Sequence, residues 1–394
     1  METVKADILI TNGTIIDPAR DLCGPGQAAI HNGRFIDVPE GLGVDAETVF
    51  DATDCLVVPG LIDFHCHFYF RSTFTGLNPD LAFLPQGVTT AVDQGSAGIA
   101  NFRNFVDGMA RSAVKFRAYL QVSAPGQSSI AYAPEPYVPE RWDRDAFRAA
   151  MEYGGERCCG LKMRASNNAV LEGGERIFYE AVKLADDVNT RLTVHIPDPP
   201  MPQSHIARAL RPGDAMSHIF HARGHTIYEN GRLAPEILEA QARGVIMDIA
   251  HGGVHLSYAL AGRAIAEGFL PDTISTDLIV QNWLHPEVYN LNYVMSQLLA
   301  LGMTVPDIIR AVTATPARAA GLEGRAGSMA PGMAADVAVL RLADKETIFT
   351  NSWKETLRGH HLFVPQGVFL DGELVFKPLD SCLRRRTGDS EWSL

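Results

Sequence analysis

A chain of 394 residues, 46% hydrophobic and 20% charged with a formal net charge of −12, has the composition of a packed globular protein. It is too long for one ordinary core, and it leaves room for a second, smaller unit beside an α/β barrel of roughly 250 residues. The acidic balance excludes nucleic acid and an anionic membrane as main partners, because both are bound through clustered Lys and Arg, and the one basic run, Arg384-Arg385-Arg386, is short.

In chain order, residues 1–7 show no charged leader followed by an apolar stretch, and no segment reaches the ~18 apolar residues of a membrane span. The expectation is a cytoplasmic protein. Cysteines at 23, 55, 66, 158, 159 and 382 lack C-x-x-C spacing and read as reduced thiols. Residues 6–58 read as short strands broken by Asn12-Gly13, Asp17-Pro18 and Asn32-Gly33, and Asn-Gly between apolar alternations signals a hairpin. The pattern returns at 335–340, 367–370 and 373–376 around Asp371-Gly372. Residues 1–59 and 327–379 are therefore expected to form a small β-sandwich domain built from both chain termini, followed by a polar tail over 380–394.

Between them, residues 60–326 alternate β-branched runs with helical stretches, which is the pattern of repeated βα units. Eight strands are expected, at 60–64, 89–93, 117–122, 159–163, 191–195, 214–219, 244–249 and 272–275. Helices are expected over 144–153, 174–187, 234–242 and 305–320. His65 and Asp277 are 212 residues apart, which over seven repeats is roughly 30 each, close to the ~31 of a (β/α)8 TIM-like barrel.

The sharpest motif is Pro59-Gly60-Leu61-Ile62-Asp63-Phe64-His65-Cys66-His67. Side chains two apart on a strand point the same way, so both imidazoles face one spot and Cys66 faces away. Converging neutral imidazoles suit Zn²⁺ or a similar divalent ion; two surface or hydrogen-bonded histidines remain the alternative for the motif alone. Later strands end in Lys162, His195, His218 and Asp277. All strand C-termini of a barrel open onto one face, so these side chains can share one site.

These residues, together with the N-terminal hairpins and Ala330-Pro331-Gly332-Met333-Ala334-Ala335-Asp336, resemble the amidohydrolase superfamily. The resemblance is to the branch with dihydroorotase, allantoinase and D-aminoacylase, and within it to the amidohydrolase/deacetylase metallohydrolases. It covers the whole chain and implies two divalent metal ions, normally Zn²⁺. His65, His67 and Asp277 would hold one, His195 and His218 the other, and a CO₂-derived carbamate on Lys162 would bridge them. Chemistry favours the carbamate independently, since an ammonium between two dications would be repelled while a neutral lysine amine can react with CO₂; a buried lysine paired with an acid is the alternative. Two ions about 3.5–4 Å apart can lower the pKa of a shared water and polarise a carbonyl, and Asp277 would accept the proton and pass it to the leaving group.

Three residues are candidates for substrate binding. Arg71 and Arg164 can grip a carboxylate through a bidentate fork, with a structural ion pair as the alternative for Arg164. Dihydroorotase-like enzymes place an arginine two residues after His-x-His, where this chain has Tyr69. His251 lies in a loop on the catalytic face and is read as a substrate contact or as loop packing. His221, His225 and His255 can bind substrate or orient ligands, and no role separates them. The expected partner is a small-molecule substrate. A homo-oligomer is common among the relatives, and the sequence leaves the number of subunits open. The expected reaction is hydrolysis of an amide or ester in a small carboxylate-bearing molecule, of N-acetyl-D-amino acid or O-acetyl-2-hydroxy acid type. A cyclic amidohydrolase and a catalytically silent scaffold are the alternatives.

Overall fold

The computed structural model describes residues 3–39 and 41–379, and the backbone of 383–385. The N-terminal strands are β1 (Thr3–Asp17), β2 (Leu22–His31), β3 (Arg34–Ile36), β4 (Gly43–Asp51) and β5 (Cys55–Pro59). The expected hairpin at Asn12-Gly13 is instead a bulge. Asn12 takes φ 64°, the register with β2 shifts between Ile10 and Gly13, and β1 continues to Asp17. The extra residue bends the strand, so β1 pairs in parallel with β4 over residues 3–11 and then with β5 at Thr14 and Ile15. Asn32-Gly33 does turn β2 into β3, with φ of 51° and 72°, the left-handed pair that a two-residue hairpin needs.

The chain then builds a parallel sheet. Its strands are β6 (Leu61–Cys66), β7 (Val88–Gly98), β8 (Lys115–Gln121), β9 (Cys158–Arg164), β10 (Arg191–His195) and β11 (Ala215–Ser217). A short hairpin, β12 (Tyr228–Glu229) and β13 (Arg232–Leu233), comes before the seventh member, β14 (Ile246–Asp248). The seven lie side by side in sequence order. The eighth expected strand, 272–275, is not a regular strand. Residues 273–278 nevertheless bridge the two ends of the sheet, through Asp248–Thr273 and Cys66–Leu278 pairs and the bonds Ile249 N–H to Thr273 O and Asp277 N–H to His65 O. Asp277 takes φ 50°, a left-handed turn that breaks the extended ladder and aims its side chain.

Helices fill the crossovers, among them Arg144–Gly154, Gly174–Asp187 and Pro235–Ala242. The helix expected over 305–320 is divided into Val305–Ala311 and Ala314–Ala319. Pro316 has no N–H for the Val312 carbonyl. The freed carbonyls of Ala311 and Val312 accept from Ile274 and Ile62 N–H groups instead, which ties the helix break to the first and last barrel segments.

The large core lies between the parallel sheet and its helices, with Phe102, Phe147 and Phe178 fully buried. Ile62, Phe64, Val92, Tyr119, Ala215 and Ile246 form a separate apolar cluster inside the ring of strands. A register shift between Asp63 and Cys66 marks where the inward pattern of β6 changes phase. Phe64 belongs to the inner apolar layer, His65 sits above it near Lys162, and Cys66 points outward, its Sγ 3.4 Å from Val92 O.

The C-terminal strands return to the first sheet as β15 (Val337–Thr350), β16 (Thr356–Leu370) and β17 (Glu373–Phe376). Asp371-Gly372, with φ of 50° and 82°, turns β16 into β17 as expected. β15 pairs with β5, and β18 (Leu383–Arg385) pairs with β4. The two termini thus meet in one hydrogen-bonded mixed sheet of nine strands, because pairing of β5 with β1 and with β15 carries the ladder across. Apart from 383–385, the tail from 380 lies outside the described residues. Among the described residues no helix is long and apolar enough to cross a membrane.

Candidate metal centre

His65 and His67 stand at the C-terminal end of β6. His65 Nδ1 is 3.1 Å from Asp248 Oδ2, which turns its Nε2 toward Lys162 Nζ at 3.5 Å and Asp277 Oδ1 at 3.6 Å. His67 Nδ1 is 3.0 Å from Ser96 Oγ, and its Nε2 is 3.3 Å from Asp277 Oδ1. In each ring one nitrogen is engaged by an orienting group and the other faces the interior, the arrangement a metal-ligating histidine needs.

Lys162 is buried in the inward row of β9, between Leu161 and Met163, which belong to the outer core. Gly95 on β7 makes room for it, at φ 84°, where a β-carbon would stand 2.7 Å from Lys162 Cγ. Burial pushes the Lys162 ammonium down to about 8. A lysine so easily neutralised is one that can react with CO₂.

His218 follows β11 and takes φ 73°. Its Nδ1–H donates to Ala250 O at 2.6 Å, which leaves Nε2 buried without a hydrogen-bond partner. The His195 ring at the end of β10 lies 4.3 Å from that of His218, and the His65 ring lies 5.0 Å from it on the other side. Burial, with neighbouring basic groups, holds His65, His195 and His218 well below the usual imidazole range. They are neutral donors at pH 7. The donor atoms of His65, His218 and Asp277 all lie within 4.8 Å of one another. A buried, unpartnered imidazole nitrogen, neutral rings and a carboxylate fit divalent metal ions of the zinc type.

The Amidohydrolase family matches residues 56–375. The chain belongs to that family. A deacetylase of Agrobacterium fabrum is 30% identical over 380 residues, covering 94% of this chain and 92% of the relative. Among solved structures, an adenine deaminase superposes with a TM-score of 0.86 at 24% identity, over 95% of this chain and all of that one. A dihydroorotase does so with a TM-score of 0.82 at 27% identity, over 96% and 99%. These neighbours share the amidohydrolase fold with its TIM barrel, and this chain is a hydrolase of the class acting on carbon–nitrogen bonds.

The structure brings His65, His67, Lys162, His195, His218 and Asp277 to one end of this amidohydrolase barrel. The three suggested substrate contacts are placed differently. Arg164 shares the inward face of β9 and is engaged by Glu135, Nη1 to Oε2 at 2.7 Å, with Glu135 almost wholly buried. Arg71 is exposed, with its guanidinium over the Phe70 ring. His251 is fully buried, and its Nδ1 accepts from Gly253 N–H at 3.1 Å. That bond braces the turn after β14, the loop-packing alternative, and no atom of the ring reaches solvent.

Sequence reasoning missed the carboxylates that hold the site together. Asp248 accepts from Thr273 and Ser275 hydroxyls at 2.8 and 2.6 Å besides facing His65. Asp63 accepts from Thr276 Oγ1 and backbone N–H, fastening the last barrel segment to β6, and Asp93 accepts from Phe68 and Ser96 N–H. Burial pushes the carboxyl of Asp63 up to about 7 and that of Asp248 up to about 6. The available signal was an acid set in an otherwise apolar strand, three times over.

Proposed function

We propose that this protein is a binuclear metal-dependent hydrolase that deacetylates a small carboxylate-bearing substrate, an N-acetyl-D-amino acid or an O-acetyl-2-hydroxy acid. The observation that carries the reading is the meeting of four imidazoles, a buried lysine and a carboxylate brought from distant parts of the chain to one end of the barrel. His65, His67 and Asp277 would hold one ion, His195 and His218 the other, and Lys162 would bridge them as its carbamate. Bound there, the ions supply Lewis acidity and a water acidic enough to lose its proton near neutrality.

The chain's own groups do the rest. Asp277 is the least buried of the acidic groups at the site, 15% exposed at its side chain, and its Oδ1 faces both first-strand histidines. It takes the proton of the attacking water and delivers it to the departing nitrogen or oxygen. Arg164, still partly accessible at 17% of its side chain, can hold a substrate carboxylate while Glu135 fixes its position. Buried neutral histidines and apolar residues beneath them exclude bulk water from the lower barrel.

The 30% identity to a protein named deacetylase over nearly the whole chain supports acetyl transfer to water over ring opening. A cyclic amidohydrolase is the second reading, favoured by the dihydroorotase structure at 27% identity, and opposed by Tyr69 standing where those enzymes carry an arginine. The test is a parallel assay of the purified protein on N-acetyl-D-amino acids, O-acetylated 2-hydroxy acids and cyclic imides, before and after chelation and dialysis. Activity on the acetylated acids that vanishes on chelation and returns with Zn²⁺ is expected. Full activity in the metal-free protein refutes the metal mechanism, faster turnover of cyclic imides selects the second reading, and a preparation that purifies without metal and turns over nothing supports a silent scaffold.

A further inference from the structure

His195 and His218 are not alone at their side of the site. The His255 ring lies 4.3 Å from that of His218 and 5.2 Å from that of His195, and one nitrogen from each of the three lies within 4.8 Å of the others. In a tetrahedral shell with bonds of ~2.1 Å two nitrogens are about 3.4 Å apart, so small side-chain rotations close the trio on one ion. His255 is 9% exposed and its Nδ1 is buried without a hydrogen-bond partner. A buried polar atom left unpaired costs stability unless something satisfies it. Basic groups surround the ring, among them His221, Arg223, Arg164 and His251.

We propose that His255 is an additional ligand of the second ion, so that this ion is held by a nitrogen trio, His195, His218 and His255, beside the bridging group on Lys162. This rests on the metal-dependent reading of the site and goes beyond it, since that reading needs only two imidazoles there. The local fold presents His255 for the task. It ends the turn after β14, where His255 N–H donates to His251 O and His251 Nδ1 takes Gly253 N–H. Gly252 packs between the two halves of the site, and a β-carbon on it would stand 2.5 Å from Asp277 Oδ2 and 2.8 Å from His255 Cδ2. Burial keeps the His255 ring neutral, the form in which it offers a lone pair. The consequence is a second ion that keeps three protein nitrogens, rather than two, when the carbamate, which forms and dissociates with CO₂, is absent.

The test is metal binding rather than turnover. Full-length protein is stripped with a chelator and titrated with Co²⁺, following the visible spectrum, and metal content is measured after gel filtration. His255→Ala is expected to bind the first equivalent like the wild type and the second about 100-fold more weakly or worse, since removing even an orienting partner of a ligand costs 10–100-fold. Equal melting temperatures of the two metal-free proteins show that the fold is intact, and His255→Gln, closer in size, replaces the alanine variant if they differ. His255→Cys supplies a positive signature: thiolate at this position is expected to add a sulfur-to-cobalt charge-transfer band. Two equivalents bound by His255→Ala with wild-type affinity, or no such band in His255→Cys, overturns the proposal. Lost turnover with unchanged metal affinity also overturns it, making His255 a proton carrier instead. Failure of the metal-dependent reading would look different, because the wild type itself would then take up no Co²⁺.

Discussion

Replacing Gly95 by alanine tests the geometry at its tightest point. Gly95 sits on β7 at φ 84°, and an added β-carbon meets Lys162 Cγ at 2.7 Å and Cβ at 2.8 Å, where ordinary contact begins at 3.4 Å. Left-handed backbone costs a residue with a β-carbon about 1–2 kcal/mol, and overpacking a buried contact adds about 1–3 kcal/mol. Together these give about 2–5 kcal/mol, a large part of the ~5–15 kcal/mol that holds a folded domain. If the strain is relieved instead by moving the lysine, its base must shift by about 0.7 Å, and a site misplaced by ~1 Å can lose 100-fold in rate. The assay is a melting curve of the metal-free protein together with metal content and kcat/KM of the reconstituted one. A Tm lower by roughly 5–15 °C, or an intact fold with at least a tenfold loss in metal uptake or rate, is expected. Gly108→Ala is the control. Gly108 lies in the helix Phe102–Met109 with nothing within 4 Å of its β position, so that change should stabilise by about 0.5–1 kcal/mol. A Gly95→Ala protein matching the wild type in Tm, metal content and rate would refute the close packing of Lys162 against β7.

Asp248→Asn removes the charge that faces His65 Nδ1 while keeping the size, and should weaken metal binding by about 10–100-fold, read by competition with a chromophoric chelator. Glu355 accepts from Ser257 Oγ, Tyr258 N–H, Ala259 N–H and Asn351 Nδ2, capping the helix Tyr258–Ala266 from the terminal sheet. Glu355→Ala should cost about 1–2 kcal/mol in a denaturant melt. Burial raises its pKa, but those hydrogen bonds outweigh burial and hold it below the ordinary carboxylate value. A depressed carboxylate stabilises above its unfolded pKa of about 4.3 and loses that contribution as pH falls through the folded value. The charge-dependent part of the gap between wild type and Glu355→Gln should therefore close in melts below about pH 4, and a gap that stays constant down to pH 2 would show that charge plays no part.

Much of the site was legible because ligand chemistry is local. His65 and His67 are two apart on an apolar strand, so alternation puts them on one side, and Lys162, His195, His218 and Asp277 each close a run of strand-forming residues, so a barrel's shared open face gathers them. His255 was indistinguishable from His221 and His225 in the sequence, because loop residues carry no period and only the turn braced by His251 aims it inward. Asn12-Gly13 shows the same limit in the fold. The dipeptide fits a hairpin and a bulge equally well locally, and the partner switch of β1 from β4 to β5 decides between them. Helix 305–320 read as continuous from its apolar spacing, yet the break at Pro316 is used by the barrel strands that collect the freed carbonyls.

By itself, then, the order of residues determined the repeating strand-and-helix units, the inward side of each strand and the kinds of donor it carries, since these follow from backbone periodicity and side-chain chemistry over short spans. Which donors meet was decided only when the ring of strands closed. Asp248 lies 183 positions from His65, and nothing nearby in the chain selects one for the other. Segment 273–278 joins last strand to first, and that closure sets the distances on which both the lysine's burial and the histidine trio depend.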